Sequence, residues 1–258
     1  MSAQTFTIRG NGSFEFEIIG DLKGAGSRVS VNFSQKLLHE LVKISAKCMD
    51  VLDGEHPLQK RERSMYSALA AAANSITPAH FSELSMKRAI KSAQQHSRSK
   101  KRAIESAKQI NSSGRVDLWC QWRNVEFVIE LKRTTIGLTQ TNDRIGLRNS
   151  WQSVTAQVTA VKPHFANLCD KGSTIGVLCV CPWSRGPRAL KRLDWSEIGN
   201  NIRTDLVNLQ PVPSFFAVWK LASNRWTNDY ENEDGSSFQE VIPFICFVGL
   251  IDNILATS

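Results

Sequence analysis

Three features of the 258-residue sequence predict an α/β protein, a central mixed β-sheet flanked by helices. Residues 114–133 read as two strands around a short polar break. Trp151–Val161 reads as an amphipathic helix, and Thr174–Cys181 is a continuous apolar run. Strand, helix and fully buried strand in that order form a parallel crossover, whose strands are covered on both faces. The length allows a complete core, either as one domain or as a core with an extension.

The N-terminal part reads as a β-rich extension. Phe14-Glu15-Phe16-Glu17-Ile18 alternates with the strand period, and Arg28–Phe33 is expected to be a further strand. A helix follows from Ser34 to Leu52, with the Ser34 hydroxyl as its N-cap. Asp53–Pro57 then separates an extension (1–53) from a main domain (54–258). Leu58–Ala73 reads as the next helix, favoured by the Ala70–Ala73 run. Residues 81–110 look helical, and the crossover helix is expected to stop at Lys162-Pro163. Beyond Cys181, Pro182–Pro187 reads as a loop and Trp195–Leu206 as a helix. Phe215–Leu221 and Phe238–Leu250 read as strands extending the sheet, joined by the acidic loop Asn224–Ser237. Trp183 and Trp226 fall in loops, where they either stack on bases or anchor packing.

The strand pair carries the chemistry. With Arg123-Asn124 as a two-residue turn, Val116, Leu118, Cys120, Val125, Phe127, Ile129 and Leu131 all share one face. The other face then sets Asp117 opposite Glu130 and Arg115 opposite Lys132. Facing Cβ atoms lie ~5 Å apart, and two like charges so placed call for a cation between them. Mg²⁺ takes hard oxygen ligands and keeps several waters. Asp117 and Glu130, with the Leu131 carbonyl, supply such ligands, and Lys132 stands two residues along to orient or help deprotonate a water. Asp21-Leu22-Lys23 repeats the bare spacing but runs into a Gly-rich turn without the apolar framing.

Gly114-Arg115-Val116-Asp117-Leu118 followed by Phe127-Val128-Ile129-Glu130-Leu131-Lys132 resembles the core motif of the PD-(D/E)xK nuclease superfamily. The similarity spans about residues 58–181, with Val116 where the motif's Pro would stand. The resemblance implies a restriction-endonuclease-like core: a helix, a mixed sheet bearing the acidic motifs on adjacent strands, a second helix and another strand. It implies cleavage of DNA, more rarely RNA, with Mg²⁺ or Mn²⁺, and roles such as bacterial or phage defence. It also implies a strand between the first helix and the Asp117 strand, either short and near Ser75–Phe81 or contributed from elsewhere. A first-helix Glu of this superfamily matches Glu62, which shares a stripe with Met65 and Leu69; the alternative is ion pairing with Arg61 or Arg63. A second-helix Gln matches Gln157, with Val161 in place of the Tyr that follows in exonuclease-like members. The alternative there is an ordinary helix-forming Gln.

Composition agrees with an anionic partner. The net charge is +8, and residues 82–110 hold Lys87, Arg88, Lys91, Arg98, Lys100, Lys101, Arg102 and Lys108 against Glu83 and Glu105. With Arg115, this segment is the expected phosphate-contacting surface, sensitive to salt. The six cysteines lack zinc-type spacing, and Cys179-x-Cys181 reads as small buried hydrophobes in a reduced, cytoplasmic setting. No signal region or bilayer-length apolar run is evident, so no membrane partner is expected. The expected activity is a DNA endonuclease controlled by homo-oligomerisation or a regulatory protein. An RNA-cleaving enzyme and a non-catalytic nucleic-acid-binding module are the alternatives.

Overall fold

The computed structural model describes residues 3–19, 27–52, 54–59, 62–89, 111–137, 143–185, 195–231 and 237–254. The chain forms a large mixed, mostly antiparallel sheet between two helical layers. Its strands are β1 (Gln4–Ile8), β2 (Gly12–Ile18), β3 (His80–Ala89), β4 (Asn111–Trp122), β5 (Val125–Gly137), β6 (Gly172–Arg185), β7 (Phe215–Lys220), β8 (Thr227–Glu231), β9 (Ser237–Val241) and β10 (Phe244–Ile254). The main sheet runs β1-β2-β7-β10-β6-β5-β4-β3, while β8 and β9 pair beside the end of β6. The described helices are α1 (Ser27–Val51), α2 (Glu62–Ile76), α3 (Asp143–Ala166) and α4 (Trp195–Val207).

The period-two pattern sorts side chains onto the two layers. Leu118, Cys120, Phe127, Ile129 and Leu131 pack with α1 and α2 residues such as Phe33, Leu37, Leu41, Met65 and Leu69. Val128, Leu178, Val180, Val218 and Val248 face α3 and α4 instead. The central strands β5 and β6 are parallel, joined through α3 as the apolar run of β6 predicts. Trp151, Val154, Val158 and Val161 are the buried stripe of that helix. Segment 1–53 contributes to the same architecture, since β2 pairs with β7 and α1 shares the core of α2.

Several expectations are corrected. Arg28–Phe33 is the first part of α1, not a strand, and Ser34 lies inside that helix with its hydroxyl donating to the Ser30 carbonyl at 2.9 Å. Val29, Val31 and Phe33 alternate like a strand, but Ser30, Val31, Ser34, Leu37, Leu38 and Leu41 line the buried helical face. Residues 80–89 form an edge strand rather than a helix, paired antiparallel with β4; this is the strand missing from the sequence reading. Leu58 belongs to a short 3-10 turn, and α2 continues past Ala73 to Ile76. The crossover helix starts at Asp143 and runs through Pro163 to Ala166. A proline one turn from a helix end removes few bonds, and buried Phe165 anchors that last turn.

Further corrections fall near the C-terminus. Pro182–Arg185 continues β6, and Trp183 packs against the core rather than standing in a loop. Trp226 stands in the bend before β8, as expected, and anchors packing there, its indole N–H donating to the Leu221 carbonyl at 2.8 Å. Residues 227–231 of the supposed acidic loop are a strand, and Pro243 divides the expected 238–250 strand into β9 and β10. Cys120, Cys179, Cys181 and Cys246 are buried and free, consistent with their use as small hydrophobes.

Candidate functional site

The Arg123-Asn124 turn sets the site's register. Both residues have positive φ (52° and 59°), the type I′ geometry whose twist matches flanking strands. The Arg123 guanidinium also lies over the Trp122 ring, 4.5 Å from its centroid. From this turn β4 and β5 pair regularly, Trp122 with Val125 through Leu118 with Ile129, the register expected from the sequence. One more step would set Asp117 opposite Glu130, but the paired register ends at Leu118 and Ile129.

At that step the ladder changes character. The Asp117 carboxylate, through Oδ2, accepts the backbone N–H of Leu131 at 2.7 Å. This pins the carboxylate against the Glu130–Leu131 peptide, where a main-chain carbonyl of a regular ladder would sit. On the other side of β4, Glu83 has a positive φ of 54°, and the β3–β4 register is interrupted only there, where Glu83 and Asp117 do not pair. The side-chain alternation switches here. Trp119 packs partly on the α3 side, yet Val116, three residues earlier, also packs on that side with Val128, Val161 and Phe165. Val116 therefore leaves the face it was expected to share with Leu118 and Cys120. Arg115, its neighbour, is turned away from the α3 side and pairs with Glu83 at 3.1 Å; it does not oppose Lys132 in the β4–β5 register. The physical cause is the paired irregularity at Glu83 and Asp117, which sequence alternation cannot reveal.

Glu130 is 1 % exposed, on the sheet face covered by α3, and Lys132 is half-buried two residues along that face. Glu130 pairs across β5–β6 with Gly176. A Cβ at Gly176 would lie 3.0 Å from Val158 Cγ2 and 3.5 Å from Val154 Cγ2, so the lack of a side chain lets α3 seat closely there. Gln157 belongs to the same helical turn as these valines and therefore stands at the level of Glu130. Its Oε1 is buried and accepts no hydrogen bond. A buried carbonyl oxygen without a donor is costly unless water or a cation satisfies it. Gln152 is exposed on the opposite side of the helix.

Glu62 is the first residue of α2, which belongs to the opposite helical layer; its side chain lies outside the described residues. The start of that helix is nevertheless tied to β5. Arg133 donates to the Leu58 and Gln59 carbonyls at 2.9 and 2.8 Å, bringing the turn before α2 to the Lys132 end of the strand. Sequence reasoning missed this brace, because Arg133 looks like one more base in a basic chain.

The basic segment is only partly described. Lys87 and Arg88 lie on β3, in register with Ser113 and Ser112 of β4, but their side chains are outside the described residues. Lys91, Arg98, Lys100, Lys101, Arg102 and Lys108 fall outside the described residues altogether, as does Asp21-Leu22-Lys23. Among the described residues, no group of three or more His, Cys, Asp or Glu side chains is placed to hold a metal. Two carboxylates with main-chain and amide oxygens still form a hard-oxygen donor set suited to Mg²⁺ or Mn²⁺. The unsatisfied Gln157 oxygen at the same level fits such an ion or its waters.

The fold and site define an α/β protein in which the Asp117 carboxylate is tied to the Leu131 amide, next in the chain to buried Glu130. Comparison with protein-family models, with curated proteins and with solved structures finds no match. Among the described residues no helix is long and apolar enough to cross a membrane.

Proposed function

We propose that this protein is a metal-dependent nuclease that hydrolyses phosphodiester bonds in DNA, with a restriction-endonuclease-like core of the PD-(D/E)xK type. The observation that carries the reading is the Asp117 carboxylate held 2.7 Å from the Leu131 amide, beside buried Glu130 and with Lys132 on the same face as Glu130. The order α2–β3–β4–β5–α3–β6, antiparallel through β5 and then parallel to β6, also supports it.

In this reading Asp117, Glu130 and the Leu131 carbonyl hold Mg²⁺ or Mn²⁺, which supplies an acidified water and offsets charge on the phosphoryl group. The Leu131 amide would hold the Asp117 carboxylate in place beside the ion. Lys132 orients the attacking water and meets the developing negative charge. Gln157 presents its amide oxygen to the same space, and Glu62, the first residue of α2, is the remaining candidate for the site. The basic residues of β3 and the segment after it contact phosphates, weakening as salt rises, whereas Arg115, paired with Glu83 on the other side, is left out of that surface.

The test is purified protein with Mg²⁺ or Mn²⁺ and four substrates in parallel: plasmid, linear duplex, single-stranded DNA and RNA. DNA cleavage that is lost in EDTA and in Glu130→Ala, with binding retained by the variant, supports the reading. Cleavage of RNA alone keeps the chemistry and changes the substrate. Activity that persists under thorough chelation, or wild type that binds but cuts nothing with any metal, removes it and leaves a binding module.

A further inference from the structure

Large apolar side chains left in water on a rigid strand call for an explanation, and Phe81 is one of them. It is 59 % exposed on β3, the last strand at its edge of the sheet. Its register partner on β4 is Trp119, and the two rings lie 5.5 Å apart at 34°. The Trp119 indole N–H donates to Glu126 at 3.1 Å, and its ring packs partly on Val116, Val128, Val161 and Phe165. Trp119 is thus fixed from below and Phe81 is carried on it, an aromatic surface with little rotamer freedom left to lose.

Trp119 lies two residues from Asp117 on the same strand, about 7 Å at the rise of a β-strand. Farther along β3 in the same direction, past the level of Asp117, come Lys87 and Arg88, within a chain of net charge +8. A carboxylate centre with an aromatic face on one side and a basic stretch of strand on the other suits a ligand that joins a planar ring to phosphates. Every nucleobase has a π-face, and an unpaired base is free to use it. A partner protein of purely apolar character would leave the neighbouring charge unexplained.

We propose that Phe81, supported by Trp119, stacks on an unpaired nucleobase next to the phosphate held at the carboxylate centre. Resting on the nuclease reading above, this names the substrate class as single-stranded or locally unpaired nucleic acid. Paired bases keep their faces stacked within the duplex and gain nothing from the ring.

The experiment measures binding without cleavage. Oligodeoxynucleotides carrying 2-aminopurine are titrated in EDTA, single-stranded and as blunt duplex, with wild type, Phe81→Ala and Phe81→Tyr. Circular dichroism melting checks that the exposed substitution leaves the fold intact. Wild type is expected to quench the unpaired probe; Phe81→Ala should weaken its binding about 5- to 150-fold and abolish the quench, whereas Phe81→Tyr should restore both. Blunt-duplex affinity should be equal in all three. Unpaired-strand binding by Phe81→Ala equal to that of wild type overturns the proposal, as does wild type that binds no oligonucleotide. So does Phe81→Ala converting a dimer to a monomer in sedimentation, which would assign the patch to contact between copies. If stacking behaves as expected while Mg²⁺ or Mn²⁺ yields no cleavage of any substrate, the nuclease reading fails and the aromatic platform stands.

Discussion

Asp117 does two jobs in the structure, and different substitutions separate them. Its Oδ2 satisfies the Leu131 amide at 2.7 Å, and its charge stands beside buried Glu130. Asp117→Ala removes the acceptor and leaves that N–H without its partner, a loss of about 1–3 kcal/mol for a half-buried donor. At roughly 2–4 °C per kcal/mol for a chain of this size, Tm falls by about 2–12 °C. Asp117→Asn keeps an oxygen for the amide but removes the negative charge. Without metal it should melt close to wild type, since the lost charge also relieves repulsion with Glu130. Metal separates the proteins further. Mn²⁺ at 100 times its Kd adds about 2.7 kcal/mol to a protein that binds it only when folded. Wild type should therefore gain roughly 5–11 °C in Tm, with Asp117→Asn and Glu130→Gln gaining far less. The assay is calorimetric melting in EDTA and across a Mn²⁺ titration. Asp117→Ala as stable as wild type would refute the amide-anchoring role. Equal Mn²⁺ shifts in wild type and both variants would refute the carboxylate pair as ligands.

Three other outcomes follow from the packing. Gly176→Ala sets a Cβ 3.0 Å from Val158 Cγ2, so α3 must shift; about 1–3 kcal/mol of stability should be lost, and activity should fall as Gln157 moves with its helix. Arg133→Met gives up the bonds to the Leu58 and Gln59 carbonyls, costing about 1–3 kcal/mol, with amide exchange rising first in the turn before α2. Burial pushes the Cys120 thiol from 9.0 up to about 12. The folded state therefore holds this proton when the unfolded chain has released it, and stability should decline between about pH 9 and 12. Cys120→Val should make that decline shallower in urea melts across the pH range, and an unchanged slope would count against it.

The crossover was legible because its signals are local and mutually consistent. The apolar run of β6 and the stripe Trp151, Val154, Val158, Val161 each carry their own period, and parallel pairing follows from the helix between strands. The same holds for the β4–β5 register: both strands place their apolar residues on one side only when the turn has two residues. Arg28–Phe33 and residues 80–89 misled for the opposite reason. In the first, a short alternation coincided with a helical face buried against the sheet. In the second, an edge strand with little core to fill carried no apolar repeat of its own and is held by pairing with β4.

The amino-acid sequence alone determined which groups were available and which strands carry them, because the two-residue turn brings Asp117 to the Glu130–Leu131 step of the neighbouring strand. Tertiary structure decided how they are held. The irregularity at Glu83 and Asp117, the carboxylate taking up the Leu131 amide, and α3 seating on Gly176 all depend on contacts between residues distant in the chain. It also turned Arg115 away and set Phe81 upon Trp119. A strand's period is a property of its own backbone, whereas a bend, a close approach or a stacked ring needs the neighbour that imposes it.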